Sequence, residues 1–248
     1  DIKNENNNVV IKLSKKNNKY VKNGVFISNI INTENFTNLI VSWNAKTPNN
    51  TYIEVKARAY ITYTDNHGKI TKAWSEWLSW GKWGIEVDRA STNEKTKLAN
   101  INTDIFKVVA DDGRASKIQI KVKLYTEDIN NTPVLRQITA SFINTNSDEE
   151  IIKVFNEEAD YDELYKIIET PCISQLLREV LIAEKICSPT SITMLLNRFG
   201  ENLIVEEVAW DCFDYKYDGF GNWVFNVAFA GSLGYEAYVE YGNLESLK

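Results

Sequence analysis

Residues 51–63, TYIEVKARAYITY, limit the fold more than any other stretch of the chain. From Tyr52 to Tyr63 the side chains follow a period of two, which an extended strand with two unlike faces satisfies and a helix does not. TDNHGK follows at once and supplies a polar hairpin turn with Gly68. KIQIKVKLYTED repeats the alternation, with Ile118, Ile120, Val122 and Leu124 on one face. NNTPVLRQITASFIN reads as a final strand after a turn at Asn130 to Pro133. Short strands between turns, with no long helix, predict an antiparallel β-sandwich over residues 1–146.

From Ser147 the pattern changes. SDEEIIKVFNEEADYDELYKIIET is acidic and helical, and Ser147 with Glu150 fits a capping box. A helical connector is expected over 147–170, ended by Pro171. Beyond it come a short helix around VEEVAWDCF, a loop DYKYDGFGNW, a helix VFNVAFAGSLG and a strand-like YEAYVEY. The net charge of −6 and the lack of a dense Lys/Arg cluster argue against nucleic acid as a partner. No apolar run approaches the roughly 20 residues of a membrane span. Cys172, Cys187 and Cys212 show no CxxC spacing, and with one histidine in the chain a structural zinc site is not expected. Pairing of Cys172 with Cys212 stays open at this level. No leader is visible and the chain starts at Asp1, which says little about compartment.

EKICSPTSITMLLNRFG, residues 184–200, raises the chemical question. Proline is tolerated only in the first turn of a helix, so Pro189 places a helix start at about Ser188 or Pro189. Ile192, Leu195, Leu196 and Phe199 then follow helical spacing, and Gly200 suits a C-terminal cap. Cys187 would stand at the positive end of the helix dipole, which favours a nucleophilic thiolate. The plainer alternative is a small buried hydrophobe, the usual fate of a lone cysteine.

ICSPTSITMLLNRFG resembles the nucleophile segment of the C39-like branch of papain-like cysteine peptidases. TPCISQ, at 170–175, resembles that family's Pro-x-x-Ser-Gln segment, and DGFGNWVFNVAFAGSLGYEAYV its Gly-Asn-Trp-x-Phe-Asn helix and following strand. LIVSWNAKTPNNTYIEVKARAY, WSEWLSWGKWG and INTDIFKV resemble the accessory β-domain found upstream in such proteins. The resemblance implies a multi-domain β plus α+β chain: the sandwich, then over 171–248 the mainly helical, nucleophile-bearing half of a papain-like fold. It implies that Cys187 attacks a peptide or amide carbonyl and that the Gln175 side-chain amide donates to the oxyanion hole. Asn222 and Trp223 would border the substrate cleft, although a tryptophan at a helix start suits a core equally well. Ser188 stands where many relatives carry glycine. No metal or organic cofactor is implied.

A thiolate peptidase needs a general base, almost always histidine, which in the papain-like arrangement follows the cysteine half in sequence. Here nothing follows Lys248, and His67 belongs to the TDNHGK turn, so the role is not carried over to it. The expectation is a chain incomplete by itself, its histidine on a second polypeptide segment. A natural truncation and a base from another chain are the alternatives. A secreted or cell-surface location goes with this reading.

Trp74, Trp77, Trp80 and Trp83 recur every three residues, so a strand would send neighbours to opposite faces unless a turn or irregularity intervenes. At least one or two should sit outside the core, where a glycan could stack. Core or interdomain packing is the preferred reading for the row as a whole. A non-catalytic glycan- or wall-binding protein with a degenerate peptidase scaffold is therefore the competing function.

Overall fold

A computed structural model describes residues 1–5, 8–146 and 167–242. Its strands are β1 (Ile2–Glu5), β2 (Asn8–Ile11), β3 (Lys15–Lys16), β4 (Lys19–Tyr20), β5 (Asn23–Ile27), β6 (Ile31–Phe36), β7 (Asn38–Lys46), β8 (Thr51–Thr64), β9 (Ile70–Trp74), β10 (Leu78–Trp83), β11 (Thr92–Lys95), β12 (Ala99–Thr103), β13 (Ile105–Val108), β14 (Arg114–Thr126) and β15 (Val134–Ile143). The helices are α1 (Cys187–Arg198), α2 (Val205–Cys212) and α3 (Trp223–Leu233). Most of the connector expected over 147–170, with its capping box, lies outside the described residues. Residues 167–170 are irregular.

Two antiparallel sheets carry the N-terminal part. One runs β1-β2-β15-β7-β13-β12-β11, and the other β10-β8-β14-β5, with β6 also on β14 and β9 on β8. They share one core: Ile53, Val55, Ala57, Ala59 and Ile61 of β8, with Ile118, Ile120, Val122 and Leu124 of β14, join Leu39, Val41 and Trp43 of β7. The alternation read from TYIEVKARAYITY is therefore physical, since the odd-numbered residues 53–61 are at most 1 % exposed and the even ones half-buried.

The tryptophan row splits. Trp80 and Trp83 are buried, whereas Trp74 and Trp77 are partly exposed. A three-residue step can point both Trp80 and Trp83 inward because the ladder slips between Ser79 and Lys82, which face Lys56 and Glu54 of β8. Three residues on β10 thus cover two on β8, the signature of a bulge. Gly81 holds it with φ +94°, and a Cβ there would lie 1.9 Å from the Ala90 carbonyl oxygen.

β7 is covered on both faces, as its nearly unbroken buried run records. Trp43 meets Trp83 edge-on at 6.3 Å and Phe225 of α3 at 6.4 Å, and Val224, Phe225 and Ala228 belong to the same core as the sheets. Full burial of such side chains contributes about 1.5–3 kcal/mol each for valine and phenylalanine. Helix and strand approach closely at Gly231, where a Cβ would stand 2.8 Å from the Asn44 Cα. After α3, Gly234 turns left-handed and the chain runs extended. The expected YEAYVEY strand keeps its period of two but joins no ladder. Its alternate N–H groups at Ala237, Val239 and Tyr241 donate to Asn44 Oδ1, Ser42 Oγ and Ser141 Oγ, and Asn44 Nδ2 returns a bond to the Ala237 carbonyl at 2.6 Å.

Two buried charges fasten the helical part to the sheets. The Arg89 guanidinium donates to the carbonyls of Trp210 (2.6 Å) and Phe213 (3.4 Å) at the end of α2, and to Gly84 and Ile85 on its own side. A cation at a helix C-terminus is favoured by the dipole. Asp214 is fully buried: its Oδ1 accepts from the N–H groups of Ser91, Lys216 and Tyr217, and its Oδ2 from Asn222 Nδ2. A second carboxylate, Asp104, accepts from the Trp223 N–H at the start of α3, and burial raises its pKa, with the Asp214 charge adding to the effect.

Each of these contacts has a measurable consequence. Gly81→Ala should lower unfolding stability by about 3 kcal/mol or more in urea titration, because backbone must move to admit the methyl group. Asp214→Ala should cost a similar amount, about 3 kcal/mol, by leaving the buried Ser91 and Asn222 donors unpaired. Asp214→Asn, which keeps an acceptor oxygen, should cost less. For Asp104 the folded pKa lies above the unfolded one, so its stabilising contribution is full below the unfolded value and is lost as pH rises through the folded value. The thermal midpoint of Asp104→Asn should therefore exceed that of the unaltered protein at pH 7, and the gap should close as pH falls towards about 4.

Candidate active site

Cys187 is the first residue of α1 and is exposed. The helix starts there, one residue ahead of the Ser188 or Pro189 expected from the sequence. No side chain caps this end, and Pro189, at the third helical position, brings no N–H of its own. The buried stripe of α1 is Pro189, Thr190, Thr193 and Leu196; of the residues read from spacing, Leu196 is buried and Ile192 packs against the same cluster, whereas Leu195 and Phe199 turn outward. Leu195 and Phe199 are 50 % and 64 % exposed, and Phe199 leans on Tyr235 at 5.8 Å. The stripe can turn this way because the Thr193 hydroxyl donates to the Pro189 carbonyl, four residues back, and so enters the core satisfied. Ser191 makes the same kind of bond to the Cys187 carbonyl at 2.9 Å.

The chain before Cys187 is irregular apart from single helical turns at Gln175–Leu177 and Ala183–Lys185. The Ile173 N–H contacts Met194 Sδ at 3.3 Å, which lays this segment on α1. Gln175 Nε2 donates to the Ala183 carbonyl at 2.8 Å, tying it to the turn that runs into Cys187. Further along, Arg178 pairs with Glu206 at 2.7 Å, and Glu206 also accepts the Glu179 N–H. The Arg178 hydrogen bond holds the Glu206 carboxyl below its ordinary pKa. Between these ties Leu176, Leu177, Val180 and Leu181 project outward, each at least 68 % exposed.

Asn222 and Trp223 part company. Asn222 is 1 % exposed and is the N-cap of α3: its Oδ1 accepts the Phe225 N–H while its Nδ2 donates to Asp214. Both ends of that amide are thus occupied by protein groups. Trp223, next to it, is 53 % exposed. Phe220, just ahead of this cap, packs in one apolar cluster with Ile182 and with Ile186, the neighbour of Cys187. The approaches to α1 and α3 therefore rest on a common floor. Among the described residues no hydrogen bond joins Cys187 directly to Gln175, Asn222 or Trp223.

The remaining candidates are placed as follows. His67 is exposed in the turn between β8 and β9, its backbone N–H donating to Asp65 Oδ1 at 2.9 Å. All three cysteines are free, so Cys172 and Cys212 are not bridged. Cys212 is buried between helices, and desolvation pushes its thiol far above the usual range. Among the described residues no group of His, Cys, Asp or Glu is arranged to hold a metal.

Sequence reading missed Asp214, Arg89 and Asp104. DYKYDG announces an aspartate-led turn, so the bonds from Asp214 to Lys216 and Tyr217 had a local signal. Its bond to Ser91, more than 120 residues away, had none.

Residues 4–142 match the Peptidase C39 N-terminal domain, and residues 167–246 match the Peptidase_C39 like family. No curated protein and no solved structure matches the chain. The first match spans more than half of the 248 residues, the second covers the helices around Cys187, and on both the chain belongs to the C39-like peptidase family.

Proposed function

We propose that this chain is a cysteine peptidase-like hydrolase in which the Cys187 thiolate attacks a peptide or amide carbonyl. The observation that carries the reading is the exposed, unbridged Cys187 on the first residue of α1, within the segment matched to the peptidase family. In the reaction the Cys187 sulfur bonds to the carbonyl carbon, and the carbon–nitrogen bond breaks as the leaving amine takes a proton. Water then cleaves the thioester, releasing the acid and restoring the thiol.

Gln175 serves this reading as the oxyanion donor. One hydrogen of its amide is held by Ala183, and the other is the one available to a developing oxyanion. Trp223 supplies an exposed indole as a wall for the substrate, and Asn222 acts beneath it as the helix cap. The base is assigned to a histidine on a second segment or chain, because the single histidine here, His67, lies in the β8–β9 turn.

Iodoacetamide at about pH 6 tests the nucleophile, with Cys172 as an internal control for exposure alone. Mapped by mass spectrometry, Cys187 should alkylate at least about tenfold faster than Cys172, and Cys212 should stay unmodified until unfolding. Equal rates at Cys187 and Cys172 would sink the assignment. Once a histidine-bearing segment is supplied, Gln175→Ala should lower kcat by about 10²–10³ with little change in KM.

A further inference from the structure

The outward face of the β10-β8-β14-β5 sheet collects positive charge in a chain whose net charge is −6. The register sets Lys121 of β14 directly opposite Lys56 of β8, with Lys123 opposite Glu54 and Gln119 opposite Arg58. Like charges directly opposite one another weaken a strand pair. Glu54 offsets part of this, reaching Lys56 at 2.8 Å and Lys123 at 3.2 Å. Among the described residues no carboxylate pairs with Lys121 or Arg58. They converge instead on one indole, with Lys121 Nζ 3.9 Å and the Arg58 guanidinium 4.8 Å from the centre of the Trp77 ring.

Aromatic rings bound the field at both ends. Tyr52 stacks on Tyr125 at 4.6 Å, with Lys82 over it, and Tyr60 meets Trp74 at 5.4 Å, with Lys117 alongside. Desolvation, then the ammonium groups of Lys123 and Lys56 and the Arg58 charge, hold the Lys121 pKa below its ordinary value. Glu54 answers Lys56 and Lys123, and Lys121 and Arg58 are left without a carboxylate partner among the described residues.

We propose that this face binds an acidic polysaccharide, its anionic groups seated among Lys121, Lys56 and Arg58 and its sugar rings laid along the aromatic rows. Charge density selects the polymer. Duplex nucleic acid carries a charge about every 1.7 Å and is matched by domains with many clustered cations, whereas this face offers only a few. An acidic glycan spaces its charges one or two sugars apart. The platform from Tyr52 to Tyr60 is about 27 Å long at strand rise, room for several rings. An anion that draws Lys121 off Trp77 also uncovers an indole face for the apolar side of a sugar. The site is separate from Cys187 and does not depend on the peptidase reading.

Affinity electrophoresis of the whole chain through gels containing polygalacturonate tests this. Neutral dextran and duplex DNA form parallel arms, and co-sedimentation with phosphatidylglycerol vesicles a third. Polygalacturonate should retard the protein, and the retardation should fade as salt rises from about 0.05 to about 0.5 M. Arg58→Gln combined with Lys121→Gln should weaken binding about tenfold or more. The thermal midpoint of that variant should hold or rise, since the Lys121–Lys56 opposition is relieved. Trp77→Ala should weaken binding independently. Absence of retardation, equal retardation by dextran, tighter binding to DNA or vesicles, or binding indifferent to the double substitution would each overturn the proposal.

Discussion

Coverage of β7 on both faces is the constraint from which the rest of the architecture follows. A strand with Ser42 and Asn44 buried beside Leu39, Val41 and Trp43 needs apolar cover on one side and polar partners on the other. The second sheet gives the first, sharing its core with β7 through contacts such as Trp43 on Trp83. The extended segment after α3 gives the second, because its alternate N–H groups come at the spacing of alternate side chains on the strand. α3 lies between these solutions and adds Phe225 to the sandwich core. The peptidase-like part is therefore built onto the sandwich through a common interior.

That attachment explains how the ends of the helices are set. Arg89 reaches out of the sandwich to take up the last carbonyls of α2, while Asp214 gathers donors from the sandwich, its own turn and the cap of α3. Charges buried this deeply cost several kcal/mol unless every bond is made. Here Asp214 has four donors and Arg89 four acceptors. α1, by contrast, packs with Pro189, two threonines and Leu196 and keeps Cys187 at its open end. The sandwich holds α2 and α3, and they in turn hold the helix that carries the thiol.

Much of this was legible because it is local. Alternation fixed β8 and β14, Pro189 fixed the start of α1 to within a residue, and Gly200 stands just past its end with φ +101°. The family was legible in the order of short motifs around Gln175, Cys187 and Asn222. Where local reading failed, a distant partner had changed the outcome. Leu195 and Phe199 carry the right spacing for a core stripe, yet Thr193 entered the core instead because its hydroxyl could bond back to Pro189. Asn222 matched a motif at a cleft, and its amide went to Asp214 and the Phe225 N–H.

The tryptophan row divides the two kinds of information most sharply. A step of three in a strand demands an irregularity, and the sequence by itself determined that the row could not all lie on one regular face. Only the tertiary structure decided where the irregularity falls: at Gly81, where the approach of Ala90 leaves no room for a side chain, so that Trp80 and Trp83 both turn inward while Trp77 stays out beneath Lys121 and Arg58. Periodicity is a property of consecutive residues and can be read from them. The closeness of Ala90 to Gly81, of Ser91 to Asp214 and of Lys56 to Lys121 is created by chain packing, and no stretch of sequence contains it.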